Sequence, residues 1–302
     1  LDRHTDAAAL ELHPAIGDGL GRRHHACGVA GEDAPSVCGV FGDLAAAPTG
    51  PAMDRRRGQD PAERAPELAH VTDWVFDLDN TLYPAQCDLF AQIDRRMTEF
   101  VSGYLNLTPD EARRVQKRYY AEHGTTLNGL MARHGMAPDA FLAHVHDIDL
   151  SPLPQCQVLK TALAALPGRR FVYTNGSKRH AERVTRHMGL DHLFEGMFGI
   201  EDADFAPKPH PQSYDRFCDL HGVEPVQSVF FEDLSRNLAP AHSLGFTTVL
   251  VHSDRDWDHE PAAARPASAD MAAGDLPDHI HYATGDLTGF LQAALPDPPP
   301  EE

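Results

Sequence analysis

No apolar run in this chain approaches the roughly 18–20 residues that a membrane-crossing helix requires, and no basic-then-apolar leader stands near its start. Basic runs are scarce as well. Arg55-Arg56-Arg57 is the densest, against a formal net charge of −19. Binding to DNA or RNA calls for a basic footprint, so neither a nucleic-acid polymer nor a membrane is an expected partner. Cysteine is sparse and scattered: Cys27, Cys38, Cys87, Cys156 and Cys218 are odd in number and form no Cys-x-x-Cys. That usage fits reduced thiols, and the expected location is the cytoplasm. Hydrophobic residues make up 42% of the 302 positions, a little low for a fully packed globule. Part of the length is therefore expected to lie outside a core.

That part falls at the two ends. Residues 1–70 are rich in Ala, Gly, Pro, Asp and Arg and sustain no helical or strand period, so disorder is expected there. The chain opens on Leu1, and Met53 stands just ahead of the basic run, which suggests a natural start near Met53. Residues 294–302 read as a polar, Pro-rich tail. Between the ends, two textures appear. Residues 85–154 read as helical: Leu89, Ile93, Met97 and Val101 recur at helix spacing between Asp88 and Leu105. Thr108-Pro109-Asp110-Glu111 supplies an N-cap, a proline at N1 and a glutamate at N3, and Pro138-Asp139 opens a shorter helix ending near His146. Residues 71–84 and 155–293 instead alternate strands and helices, with strands at 170–174, 197–200, 228–232, 247–251 and a weak one at 280–283. The expected fold is α/β, a doubly wound, Rossmann-like parallel sheet with an inserted all-helical cap domain.

The chemistry sits where apolar runs end in polar groups. Trp74-Val75-Phe76 leads into Asp77 and Asp79, two carboxylates one residue apart at what should be the ligand-facing end of a parallel strand. Residues i and i+2 of a strand point the same way, so both acids can face one pocket. Like charges so close imply a cation between them or a proton held by one. Thr174-Asn175-Gly176-Ser177 follows the next strand and precedes a helix containing His180, which makes an anion site. Lys208 lies in Pro207-Lys-Pro-His-Pro211, where flanking prolines stiffen the backbone, and Glu232-Asp233 ends a further apolar strand. Carboxylates, a hydroxyl and an ammonium suit a hard divalent metal, Mg²⁺, together with a phosphoryl group. His144-x-His146 and His279-x-His281 have chelating spacing, but no cysteine or carboxylate completes a zinc set.

In order and spacing these four elements resemble the haloacid dehalogenase-like (HAD) superfamily, with Asp77 and Asp79 matching its first motif, Thr174 its second, Lys208 its third and Glu232-Asp233 its fourth. The similarity is closest to the pyrimidine 5′-nucleotidase-like branch. There the first motif continues as Asp79-Asn-Thr-Leu-Tyr-Pro84 does here, and Gly124–Leu130, Val145–Leu150, His180–Arg183 and Phe230–Asn237 also match. The resemblance covers roughly residues 71–293, and Leu234 departs from the small hydroxyl residue usual after the acidic pair.

The resemblance implies a phosphatase. Asp77 attacks phosphorus, Asp79 acts as acid and then base, and Thr174 and Lys208 stabilise the phosphoryl oxygens. Mg²⁺ is implied at Asp77, the Asp79 backbone carbonyl, Asp233 and Glu232. Thr125, Thr126, Leu127 and Asn128 are expected to contact the leaving group, with Tyr83 at the core–cap junction. Thr81, Asn175 and Gly176 are further expected substrate-binding positions. The implied partner is a small phosphorylated metabolite, a nucleoside 5′-monophosphate, bound by a monomer or homodimer. A sugar-phosphate phosphatase or mutase and a catalytically silent phosphate-binding module are the alternatives.

Overall fold

The structure, a computed structural model, describes residues 67–257, 265–269, 272 and 276–295. The expectations for residues 1–66, including Met53 as a start, and for the tail from 296 lie outside the described residues. Among the described residues, six parallel strands form one sheet in the order β3-β2-β1-β4-β5-β6. They are β1 Asp73–Phe76, β2 Arg169–Tyr173, β3 Gly196–Phe198, β4 Ser228–Glu232, β5 Thr247–Val251 and β6 Tyr282–Thr284. In register, Phe76 of the central strand pairs with Val172 on one side and Phe231 on the other. The last strand begins later than the apolar run at 280–283 suggests, because Ile280 packs into the core ahead of the ladder.

Every residue of β1 and β4 is buried, as expected of parallel strands covered on both faces. The side chains alternate between two apolar layers. Trp74, Phe76 and Phe231 share one layer with Leu159, Val184 and Leu291. Val75 and Phe230 share the other with Tyr214, Phe217 and Leu238. Those layers are supplied by α5 Gln157–Ala165, α6 Lys178–His187 and α9 Leu287–Ala293 on one face, and by α7 Pro211–His221 and α8 Ser235–Leu244 on the other. The sheet is thus doubly wound.

Between β1 and α5 lie four helices that form the insertion: α1 Leu89–Leu105, α2 Pro109–His123, α3 Thr126–His134 and α4 Pro138–Val145. The capping box read from Thr108 and Glu111 closes both ways, with Thr108 N donating to Glu111 Oε2 at 3.0 Å and Glu111 N donating to Thr108 Oγ1 at 3.4 Å. Asp94 ties α1 to α2. It accepts from Arg113 at 2.8 Å, Gln116 Nε2 at 2.7 Å and Lys117 at 2.9 Å. Burial alone would raise the Asp94 carboxyl, but Lys117 and Arg113 outweigh it and hold the group below its ordinary value. A depressed carboxyl contributes stability above its unfolded pKa of about 3.9 and loses it as pH falls through the folded value. Asp94→Asn should therefore cost about 2 kcal/mol near neutral pH, with the deficit shrinking below about pH 4. Thermal melts of both proteins across that range check this; a deficit constant with pH contradicts it.

Candidate active site

The strands deliver their terminal polar groups to one cavity of about 180 Å³ between the sheet's carboxyl edge and the helical insertion. Asp77, Asp79, Thr174, Lys208, Glu232 and Asp233, all anticipated from sequence, line it together. The geometry at Asp79 differs from the reading that strand pleat aims both acids. β1 ends at Phe76, and although Asp77 N still donates to Phe231 O at 2.9 Å, the chain then turns. The turn passes through Asn80 at φ 61°, a left-handed conformation that asparagine tolerates, and it is this turn that brings Asp79 to the pocket.

Lys208 is the hub. Its ammonium, with the residue 1% exposed, donates to Asp77 Oδ1 at 2.7 Å, Glu232 Oε2 at 2.6 Å and the Tyr173 carbonyl at 2.9 Å. Its backbone is held by a reciprocal clasp: Lys208 N donates to Asn175 Oδ1 at 2.7 Å, and Asn175 Nδ2 donates to Lys208 O at 3.1 Å. Burial opposes the Lys208 charge, but Asp77 and Glu232 outweigh that and raise its pKa. Thr174 Oγ1 accepts from Gly176 N at 2.9 Å, folding the backbone after β2 into a compact turn ahead of α6. Ser177 caps α6 by accepting from His180 N at 3.2 Å.

Asp77, Glu232 and Asp233 each offer a carboxylate oxygen, all within 4.8 Å of one another, and all three are buried. Burial, then Glu232, raises Asp77 to about 8 against the pull of Lys208, and Asp79 adds to the rise. Burial, Glu232 and Asp77 likewise raise Asp233 well above its ordinary value, with Asn80 Nδ2 donating to it at 3.3 Å. Three buried carboxylates against one ammonium leave negative charge uncompensated. An all-oxygen donor set with that excess fits a hard divalent cation such as Mg²⁺.

Asp79 lies apart from this crowd. Burial would raise it, but the electrostatic pull of His180, and then hydrogen bonds from His180 and Tyr83 to its Oδ1, lower it. The two acids read together from the sequence therefore sit in opposite electrostatic environments.

The remaining anticipated residues divide. Thr125, Thr126, Asn175 and Gly176 line the cavity, as does Leu127. Thr81, Tyr83 and Asn128 are not among the lining residues. Thr81 is buried with its hydroxyl unpartnered, and the Tyr83 hydroxyl is spent on Asp79. Asn128 reaches from α3 to the Phe205 carbonyl at 2.8 Å, tying the insertion to the core. The stretch around Thr125 is a helix start, with Thr125 Oγ1 accepting from Asn128 N at 3.0 Å. The paired histidines bind no metal set among the described residues. His146 stacks on His180, His279 bonds to Ser235, and His281 bonds to Thr248. Asn237, quoted in the sequence only within the fourth motif's continuation, lines the cavity with a buried Oδ1 that has no partner among the described residues. Its recurrence one helical turn after Asp233 is the signal that could have marked it.

The fold is thus a parallel α/β sheet with an acidic, lysine-clamped pocket at its carboxyl edge. The model of haloacid dehalogenase-like hydrolases matches residues 75–245, from β1 to the end of α8, and the chain belongs to that family. Among curated relatives it is 25% identical over 204 residues to Phosphate metabolism protein 8 of Saccharomyces cerevisiae, covering 62% of this chain and 63% of that protein. It is 37% identical over 97 residues to a phosphoglycolate phosphatase of Haemophilus influenzae, covering 28% of this chain and 43% of the relative. The chain thus spans less than two thirds of the length of these relatives. A solved structure of a predicted phosphoglycolate phosphatase from Haemophilus somnus is similar at 20% identity and TM-score 0.48, covering 74% of this chain and 98% of that one.

Proposed function

We propose that the chain is a phosphatase that hydrolyses small phosphate monoesters through an aspartyl-phosphate at Asp77. The observation that carries this reading is the Lys208 ammonium bridging Asp77 and Glu232 beside Asp233, with Asp79 free of that bridge on the same cavity. Asp77 supplies the nucleophilic carboxylate. Lys208 orients it and balances charge on the phosphoryl oxygens, helped by the Thr174 hydroxyl and the backbone N–H groups that follow. Asp79 protonates the leaving alkoxide and then takes a proton from the attacking water. Its lowered pKa keeps it ionised, as the second step requires, and the negative charge of an arriving phosphate raises it for the first. Asp77, Glu232 and Asp233 are the side chains that would hold Mg²⁺, with the Asp79 carbonyl as an expected fourth ligand. The ion would supply charge neutralisation at the phosphoryl group.

The favoured substrates are pyrimidine nucleoside 5′-monophosphates. Support comes from the run Asp79–Pro84 and from a cavity wall that sets Phe90, Met97, Phe141 and Trp257 beside Gln116 and Lys117. Flat apolar surface with a few polar groups suits a nucleobase. The helical insertion acts as the cap that selects the leaving group and excludes water.

A phosphate-release screen over UMP, CMP, sugar phosphates and phosphoglycolate, with and without Mg²⁺, tests the reading. UMP or CMP should lead, and chelation should slow release by at least about 10²-fold, restored by added Mg²⁺. Release that ignores the chelator would remove the metal from the account, and no release from any substrate would remove the phosphatase.

A further inference from the structure

Lys208 does not touch Asp79, whose place is set by two side chains that the cavity does not expose. The Tyr83 hydroxyl and His180 Nε2 both bond to Asp79 Oδ1, the latter at 3.2 Å. No hydrogen bond from the described residues reaches Oδ2. Tyr83 is fully buried and His180 is 1% exposed. His180 is an odd choice for such a position. Its Nδ1 is buried without a partner among the described residues, so the ring carries a desolvation penalty that a leucine would avoid. The side chain's single polar tie goes to Asp79.

The ring itself is held from the insertion. His146, just past the end of α4, stacks on it with centroids 4.4 Å apart and planes at 15°. His146 Nδ1 lies 3.0 Å from Ser177 Oγ at the start of α6, and Arg183 of that helix donates to the His146 carbonyl at 2.5 Å. Burial and then the His180 charge lower the His146 pKa to about 3, so the stacked ring is neutral near pH 7. A continuous chain of contacts therefore runs from the end of the insertion, through two stacked imidazoles, to one oxygen of Asp79.

We infer that His180 is a positioning residue for Asp79. With Tyr83 it pins Oδ1, which leaves Oδ2 for the leaving-group oxygen and for water, and the His146 stack makes that alignment depend on how the insertion is seated. The inference rests on the proposed phosphatase reading and adds to it a residue that never touches substrate. Misplacing a reacting group by about 1 Å costs on the order of 10²-fold.

The test compares an alkyl phosphate, UMP, with p-nitrophenyl phosphate, whose leaving group needs little protonation. For His180→Leu, kcat/KM on UMP should fall about 10²-fold, while on p-nitrophenyl phosphate it should fall far less. A merely structural defect would lower both alike. His180→Gln, which can restore a donor near Nε2, should recover most of the UMP rate, and His146→Ala should show the same leaving-group bias more weakly. Equal losses on both substrates, or a UMP rate in His180→Leu close to wild type, overturn the inference. Crystal structures of wild type and His180→Leu give an answer that does not depend on turnover. A displaced Asp79 carboxylate supports the assignment, and an unmoved one defeats it. If the wild type releases phosphate from neither compound, the phosphatase reading falls, and the Asp79 position still decides this one.

Discussion

Asp77→Asn is expected to release phosphate at least about 10³-fold more slowly than the wild type while keeping the fold, because a residue in the nucleophile's role is not replaced by its neighbours. The fold survives for a reason visible in the site. Asp77 already has its carboxyl raised to about 8 by burial and by Glu232, so a neutral amide of the same shape relieves repulsion. Its carbonyl oxygen can still accept from Lys208, which lies 2.7 Å from Asp77 Oδ1. Melting temperature and far-UV circular dichroism should match the wild type closely. A variant that keeps more than a tenth of the activity would show that some other group attacks phosphorus.

Lys208→Met should damage both stability and chemistry. The ammonium is buried with Asp77 at 2.7 Å and Glu232 at 2.6 Å, and removing it strands two carboxylates in a region that Asp233 already makes negative. Breaking a buried pair in this way costs about 3–5 kcal/mol, read as a lower denaturation midpoint in metal-free buffer. Loss of a charge aimed at the phosphoryl oxygens should slow turnover by about 10²–10³-fold in addition. Divalent cation should recover part of the stability and little of the rate. Unchanged stability together with near-normal turnover would mean that Lys208 neither compensates the acids nor clamps the phosphoryl group.

How much of this was legible beforehand depends on the kind of signal. The runs at 228–232 and 247–251 coincide with β4 and β5, because strands buried on both faces must be apolar throughout. Asp77, Thr174 and Glu232-Asp233 could be found because each interrupts or follows an apolar run at a strand's end, and Lys208 because prolines flank it in the loop ahead of α7. What held Asp79 could not be found that way. In the sequence His180 is only part of the helix after Thr174–Ser177 and of the matching run His180–Arg183, with no role of its own, and His146 looked like half of a chelating pair. Their stacking depends on how the insertion folds back onto α6, which no local period encodes. Asn128 was misleading for a related reason: its neighbours Thr125, Thr126 and Leu127 line the cavity, but one residue further round the helix the side chain turns to the core. Thr81 was expected to bind substrate, yet its side chain is buried and is not among the cavity-lining residues.

The central claim is that a phosphoryl group passes through the Asp77 carboxylate. Borohydride quenching during turnover, followed by peptide mass spectrometry, tests it most directly, since reduction of an acyl phosphate converts its aspartate to homoserine. The account predicts homoserine at position 77, dependent on substrate, and none at Asp79, Glu232 or Asp233. Phosphate release with Asp77 recovered unmodified, or the reduction product at another carboxylate, would contradict it.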